Sequence, residues 1–144
     1  MQTGAAPQLE PLPLSARKQR IVIIDDDHDQ ADVLGRRLQT QGYETLVAHT
    51  GNGGRELVKS EHPSLVVLDV RLPDVDGFTV CSKLADDPAT CDIPVILLSG
   101  MERPDIIRRA RSVGSQFYVR KPYDPNALLI LIQTAIREAE EWGA

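Results

Sequence analysis

The sequence predicts a three-layer α/β sandwich, a five-stranded parallel sheet with helices on both faces. Three observations predict it. The runs Ile21-Val22-Ile23-Ile24 and Leu65-Val66-Val67-Leu68 are short, rich in β-branched residues and uninterrupted by polar ones. Strands buried on both faces of a parallel sheet read this way. Segments with apolar residues at helical spacing separate such runs, so strand and helix alternate along the chain. Both runs also end in carboxylates, Asp25-Asp26-Asp27 after the first and Asp69 after the second. Parallel sheets bind ligands at the carboxyl ends of their strands. Carboxylates crowded there repel each other unless a positive group sits among them, and a hard divalent cation with oxygen ligands meets that need.

The first strand is expected at about 20–25. A helix follows near 29–41, with Ala31, Leu34 and Leu38 at helical spacing and Gly42 as its stop. Tyr43 to Ala48 alternates like a strand, and a helix near 53–61 ends before Pro63. The third strand is about 64–69. Pro73-Asp74-Val75-Asp76-Gly77 is turn chemistry, and a helix near 77–85 follows it. Ile93 to Leu98 is the fourth strand, a helix near 104–113 ends at Gly114, and Phe117 to Arg120 is the fifth strand. Asp124-Pro125 is a cap followed by proline at the first helical position, opening a last helix at about 125–142. Residues 1–19, with Pro7, Pro11 and Pro13, read as a disordered leader. Residues 20–142 form one domain, and no output domain is expected after the last helix; the chain reads as a stand-alone unit or one cut from a larger protein.

The length of 144 residues suits one domain. Twenty-one acidic and 16 basic residues leave a net charge of −5. With a pI near 5.1, this argues against a general nucleic-acid binder. Cys81 and Cys91 are the only cysteines and make no disulfide scaffold; free thiols in a reducing cytoplasm are expected. No apolar run approaches the roughly 18 residues of a membrane helix, and Met1 to Pro13 lacks a signal-peptide core.

The chemistry collects at the strand ends. Strand one contributes Asp25 and Asp26, strand three Asp69, strand four Ser99, and strand five Lys121 followed by Pro122. Strand two contributes nothing chemical and is expected at an edge. Two or three carboxylates, a hydroxyl and an ammonium are the parts for phosphoryl chemistry on a carboxylate. Each signal is weak by itself; all of them at the ends of strands one, three, four and five make a specific pattern.

Over about residues 20–140 the chain resembles the receiver domain of bacterial response regulators. The resemblance rests on Ile23-Ile24-Asp25-Asp26-Asp27, Leu68-Asp69-Val70-Arg71-Leu72-Pro73-Asp74-Val75-Asp76-Gly77, Ile93-Pro94-Val95-Ile96-Leu97-Leu98-Ser99-Gly100 and Tyr118-Val119-Arg120-Lys121-Pro122-Tyr123. It implies a flavodoxin-like strand order 2-1-3-4-5. It implies phosphorylation of Asp69 by a histidine kinase or histidine phosphotransfer protein, with slow autodephosphorylation as the only other chemistry. Asp26, Asp69 and the backbone carbonyl of Arg71 would ligate Mg²⁺, with Asp25 one water removed. Lys121 would pair with the phosphoryl group beside a cis bond to Pro122, Ser99 and Tyr118 would be the switch pair, and Gly77 and Pro122 would be structural. Two departures stand out: Gly100 replaces the usual alanine after Ser99, and Gly114-Ser115-Gln116-Phe117 replaces the commoner Gly-Ala-Asp-Asp. Neither removes a reacting group.

Other residues carry less. Asp27 is expected to cap the first helix or line the pocket rim, and His28 to be a plain surface residue. Arg71 and Met101 stand two residues past Asp69 and Ser99, at positions that the resemblance implies flank the route of attacking water; otherwise they simply face solvent. In the fourth helix Ile106, Ile107, Ala110 and Val113 form the apolar face, which points Arg108 and Arg111 away from the core. On the last helix Leu128, Leu129, Leu131, Ile132, Ala135, Ile136 and Ala139 share one arc, leaving Ile130 on the opposite side. With the resemblance, which implies that receivers dock partners on this side, these exposed groups make the surface of helix four, strand five and helix five the expected output face, for a downstream protein partner or a homodimer on activation. No nucleic-acid or membrane partner is expected. The rival reading is a haloacid-dehalogenase-like phosphatase using Asp25 and Asp27, disfavoured by Asp29 where that family has Thr or Val. A flavin or nucleotide binder would need a glycine-rich loop after strand one, where three acids stand instead.

Overall fold

The computed structural model describes residues 18–100, 106–113 and 117–143. Most of the proline-rich leader, Met101, Arg103 and the segment 114–116 lie outside the described residues.

Strands β1 (Arg20–Ile24), β2 (Glu44–Ala48), β3 (Leu65–Asp69), β4 (Val95–Ser99) and β5 (Phe117–Arg120) alternate with helices α1 (His28–Thr40), α2 (Gly51–Glu61), α3 (Gly77–Asp86), α4 (Ile106–Ser112) and α5 (Pro125–Gly143). The five strands form one parallel sheet in the order β2-β1-β3-β4-β5. The order reverses between β1 and β3, and β2 takes an edge.

The uninterrupted apolar runs divide by the two-residue period of a strand. Val22, Ile24, Val66, Leu68 and Leu97 face a core closed by α2, α3 and α4, which includes Val58, Phe78, Leu84 and Ala110. Ile21, Ile23, Leu65, Val67, Ile96 and Leu98 face a second core closed by α1 and α5, which includes Leu34, Leu38, Leu128, Ile132 and Ile136. Burying one such aliphatic side chain stabilises the fold by about 1.5–3 kcal/mol before entropy is counted. The α5 arc read from the sequence is the packed face, while Ile130 remains 63% exposed.

Boundaries moved by one or two residues where polar side chains intervene. Helix α2 starts at Gly51, earlier than periodicity suggests. Thr50 accepts from the Gly53 N–H, and the Asp74 carboxylate, remote in sequence, accepts from the N–H groups of Gly51 and Asn52 at 2.7 and 2.9 Å. Those bonds hold the Asp74 carboxyl below the usual carboxylate range. Strand β4 starts at Val95 rather than Ile93, because the Ile93 N–H closes a turn onto the Thr90 carbonyl and Pro94 has no N–H to give. Helix α1 stops at Gly42 as expected, with φ 94°.

Gly77 opens α3 directly beneath Asp69. Its N–H donates to the Val70 carbonyl at 2.8 Å. A Cβ there would lie 2.4 Å from the Asp69 carbonyl oxygen and 2.6 Å from Val70 Cα. Both are backbone atoms that cannot swing aside. Gly77→Ala is therefore expected to destabilise the fold by about 1–3 kcal/mol, read as a lowered urea midpoint; an unchanged midpoint would contradict the close approach.

Candidate functional site

The switch point between β1 and β3 places Asp25 and Asp69 side by side, because Ile24 pairs with Leu68 in register. Asp25, Asp26 and Asp69 each bring one carboxylate oxygen within 4.8 Å of the others. Asp25 and Asp69 are buried and Asp26 is exposed. The donor set is all oxygen and fits a hard divalent cation. A cleft of about 440 Å³ opens over it, lined by Asp26, Asp27, Gln30, Asp69, Arg71, Ser99, Gly100 and Lys121.

Backbone N–H groups hold the two buried carboxylates. Asp25 Oδ1 accepts from the Asp27 N–H at 2.9 Å, and Asp69 Oδ1 accepts from the Arg71 N–H at 2.9 Å. Strand β5 reaches the site through the Lys121 N–H, which donates to the Ser99 carbonyl at 2.8 Å. The Lys121–Pro122 peptide is cis, as expected. Lys121 Nζ lies 2.6 Å from Asp69 Oδ2, 3.6 Å from Asp25 Oδ2 and 2.8 Å from Gln30 Oε1. Ser99 is 1% exposed at the end of β4, and Tyr118 is half-buried against the α2–α3–α4 core.

The electrostatics follow from the crowding. Burial pushes the Asp25 carboxyl up; the Asp27 N–H and Lys121 oppose this, and the neighbouring Asp69 adds to it. Burial also works against the Lys121 charge, but the hydrogen bond and field of Asp69, with Asp25 behind it, outweigh burial and hold the ammonium above its ordinary value.

Asp27 caps α1, accepting from the Gln30 N–H at 3.1 Å. It is exposed and outside the carboxylate cluster. The D-x-D pair required by the phosphatase alternative is thus not assembled, and that reading is unsupported. Three contacts were not legible in the sequence. His28 stacks on His49 with ring centroids 3.6 Å apart, and His49 Nδ1 lies 2.9 Å from the Asp25 carbonyl oxygen. Arg109 stands 4.3 Å over the Phe78 ring and 3.5 Å from Asp76 Oδ2, tying α4 to the loop after β3. Gln30 joins Lys121; its only sequence signal is the Asp27-x-x-Gln30 spacing of a capping box.

The family model described as "Response regulator receiver domain" matches residues 21–133. The chain belongs to the response regulator receiver family. It is a signalling domain of the two-component type. It is 36% identical over 121 residues to the DNA-binding dual master transcriptional regulator RpaA of Synechocystis, covering 84% of this chain and 50% of that protein. It is 35% identical over 119 residues to the response regulator PleD of Caulobacter vibrioides, covering 82% of this chain and 26% of that protein. The receiver thus spans half or less of these two relatives. A CheY-like receiver domain protein from Methanospirillum hungatei superposes with a TM-score of 0.82 at 27% identity, covering 87% of this chain and 98% of that one. Among the described residues no helix is long and apolar enough to cross a membrane.

The raised carboxyl of Asp25 has a consequence for stability. A carboxyl raised by folding contributes favourably below its unfolded value, and that contribution is lost as pH rises through its folded value. At pH 7 the ionised group therefore opposes folding. Asp25→Asn keeps an oxygen to accept from Asp27, so it should raise the thermal midpoint in metal-free buffer at pH 7 by a few degrees. The gain should fade as the pH is lowered into the carboxylate range. A midpoint that falls at pH 7 would refute the assignment.

Proposed function

We propose that this receiver takes a phosphoryl group from a phosphohistidine onto Asp69 in a Mg²⁺-dependent step, and that the modified domain switches a protein-binding surface. One observation carries the reading. The Asp69 carboxylate lies between Lys121 Nζ at 2.6 Å and the Arg71 N–H at 2.9 Å, with two further carboxylates alongside. The donor is a histidine kinase or histidine phosphotransfer protein. Its seat includes the face lined by Asp29, Gln30, Val33, Lys121, Pro122 and Tyr123, where Val33 is 57% exposed.

Asp25, Asp26, Asp69 and the carbonyl of Arg71 are the groups that would hold Mg²⁺. When bound, the cation offsets the charge of the carboxylates and of the incoming phosphoryl oxygens. An Asp69 oxygen attacks phosphorus; the P–N bond to the donor imidazole breaks as the P–O bond forms. Lys121 turns its ammonium from the carboxylate to a phosphoryl oxygen, and Ser99 binds another. Water later cleaves the acyl phosphate, returning the carboxylate and inorganic phosphate. This turnover is of the domain's own modification and serves timing, not metabolism.

The signal leaves through α4, β5 and α5. Drawing Ser99 towards the phosphoryl group frees space for Tyr118 to turn inward, which reshapes the face that carries Ile130 and the exposed Arg108 and Arg111. A downstream protein, or a second copy pairing those arginines with Glu138 and Glu141, reads the change. The acidic balance and this surface favour a protein partner for the chain itself, in a cytoplasmic setting. The DNA binding in RpaA's name attaches to a protein of which this chain spans half.

Two measurements test the reading. Incubation with acetyl phosphate and Mg²⁺ should add one phosphoryl mass to the wild type and none to Asp69→Asn; undiminished labelling of the variant would move the acceptor elsewhere. In calorimetric titration, Asp26→Asn should weaken Mg²⁺ binding more than Asp25→Asn, on the order of tenfold or more, because a direct carboxylate bond is lost. The reverse order would exchange the two roles.

A further inference from the structure

Gln30 stands in the first turn of α1, three residues past the cap Asp27. At that position a glutamine side chain ordinarily reaches back to the N–H of the capping residue. Here the Asp27 N–H is already taken by Asp25 Oδ1 at 2.9 Å. The Gln30 amide is released to turn the other way, and its Oε1 accepts from Lys121 Nζ at 2.8 Å, across 91 residues of sequence. Meanwhile the Gln30 N–H remains fixed on Asp27 Oδ1, so the base of the side chain is anchored.

Lys121 has three N–H donors on a flexible four-carbon stem. Asp69 Oδ2 takes one at 2.6 Å, Gln30 takes the second, and Asp25 Oδ2 stands off at 3.6 Å. Without Gln30, both attractions on the ammonium come from the carboxylate cluster. They draw it in between Asp25 and Asp69, over oxygens that a cation would need. Gln30 pulls from the side of α1 and holds Nζ at the edge of the cleft, over Asp69.

We propose that Gln30 is a positioning residue for phosphoryl transfer, acting through Lys121. It holds the ammonium where a phosphoryl oxygen on Asp69 arrives. Among the described residues its hydrogen bonds go to Asp27 and Lys121 and to none of the three clustered carboxylates. The inference rests on the reading of Asp69 as phosphoacceptor and adds a residue of α1 to that site.

A double-mutant cycle on the full chain tests it, with acetyl phosphate as donor so that docking of a protein donor plays no part. Gln30→Ala should slow the labelling of Asp69 about three- to tenfold, the value of one ordinary hydrogen bond that holds the ammonium in place. Gln30→Asn, an amide one methylene too short, should slow it as much. In a Lys121→Ala background the same Gln30→Ala change should alter the rate less than about twofold, since its only target is gone. The side-chain ammonium resonance of Lys121, followed by ¹⁵N NMR without any donor, should broaden in Gln30→Ala and be retained in Gln30→Glu, which keeps an oxygen at the same reach. Equal slowing with and without Lys121, a wild-type rate in Gln30→Ala, or an unchanged ammonium signal would each overturn the assignment. If the wild-type protein itself gains no phosphoryl on Asp69, the phosphoacceptor reading fails and the inference falls with it. If the wild type is labelled and Gln30→Ala matches it, the inference alone fails.

Discussion

The contact between Lys121 Nζ and Asp69 Oδ2 joins the end of the edge strand β5 to the end of the central strand β3. Much of the site is arranged around it. Three carboxylates within 4.8 Å of one another are an unfavourable cluster. The Lys121 ammonium beside them offsets part of the repulsion. The pair is shielded, with 21% and 9% of the two side chains exposed. Removing one member of a buried pair costs far more than the pair itself contributes, because the survivor is left charged and unpartnered. The site is thus held in tension, short of cationic charge, with an all-oxygen donor set that a divalent cation would suit.

The loop after β3 gives that tension a rigid frame. Asp74 caps α2, Asp76 caps α3 through the Phe78 N–H at 2.7 Å, and Gly77 packs backbone to backbone beneath Asp69. Arg109 of α4 then lies on Phe78 and beside Asp76. One short loop therefore touches three helices as well as the carboxylate. The loop thus links Asp69 to α4 through contacts that are already made.

The strands, most of the helices and the five strand-end groups were legible because each is encoded locally. A both-face-buried strand needs an apolar residue at every position, and a parallel sheet gathers its carboxyl ends on one side whatever the loops do. Asp27 as a cap was legible from its place before an amphipathic run. The early start of α2, the stack of His28 on His49, Arg109 on Phe78 and Gln30 on Lys121 were not. Each joins residues on separate elements, and local patterning says nothing about which side chains meet after packing.

What the sequence by itself determined is the chemistry available: acids after β1 and β3, a hydroxyl after β4, an ammonium after β5, and two apolar faces to bury. These follow from residue type and period, which act over a few positions. Only the tertiary structure decided which atoms share the cleft. Asp27, adjacent in sequence to the acid pair, caps a helix at the cleft wall and stays out of the carboxylate cluster, while Gln30 and Lys121, 91 residues apart, meet at 2.8 Å. The reason is that side-chain direction is set by the backbone turn at the end of β1, where Asp25 takes the Asp27 N–H and so leaves the Gln30 amide to meet Lys121.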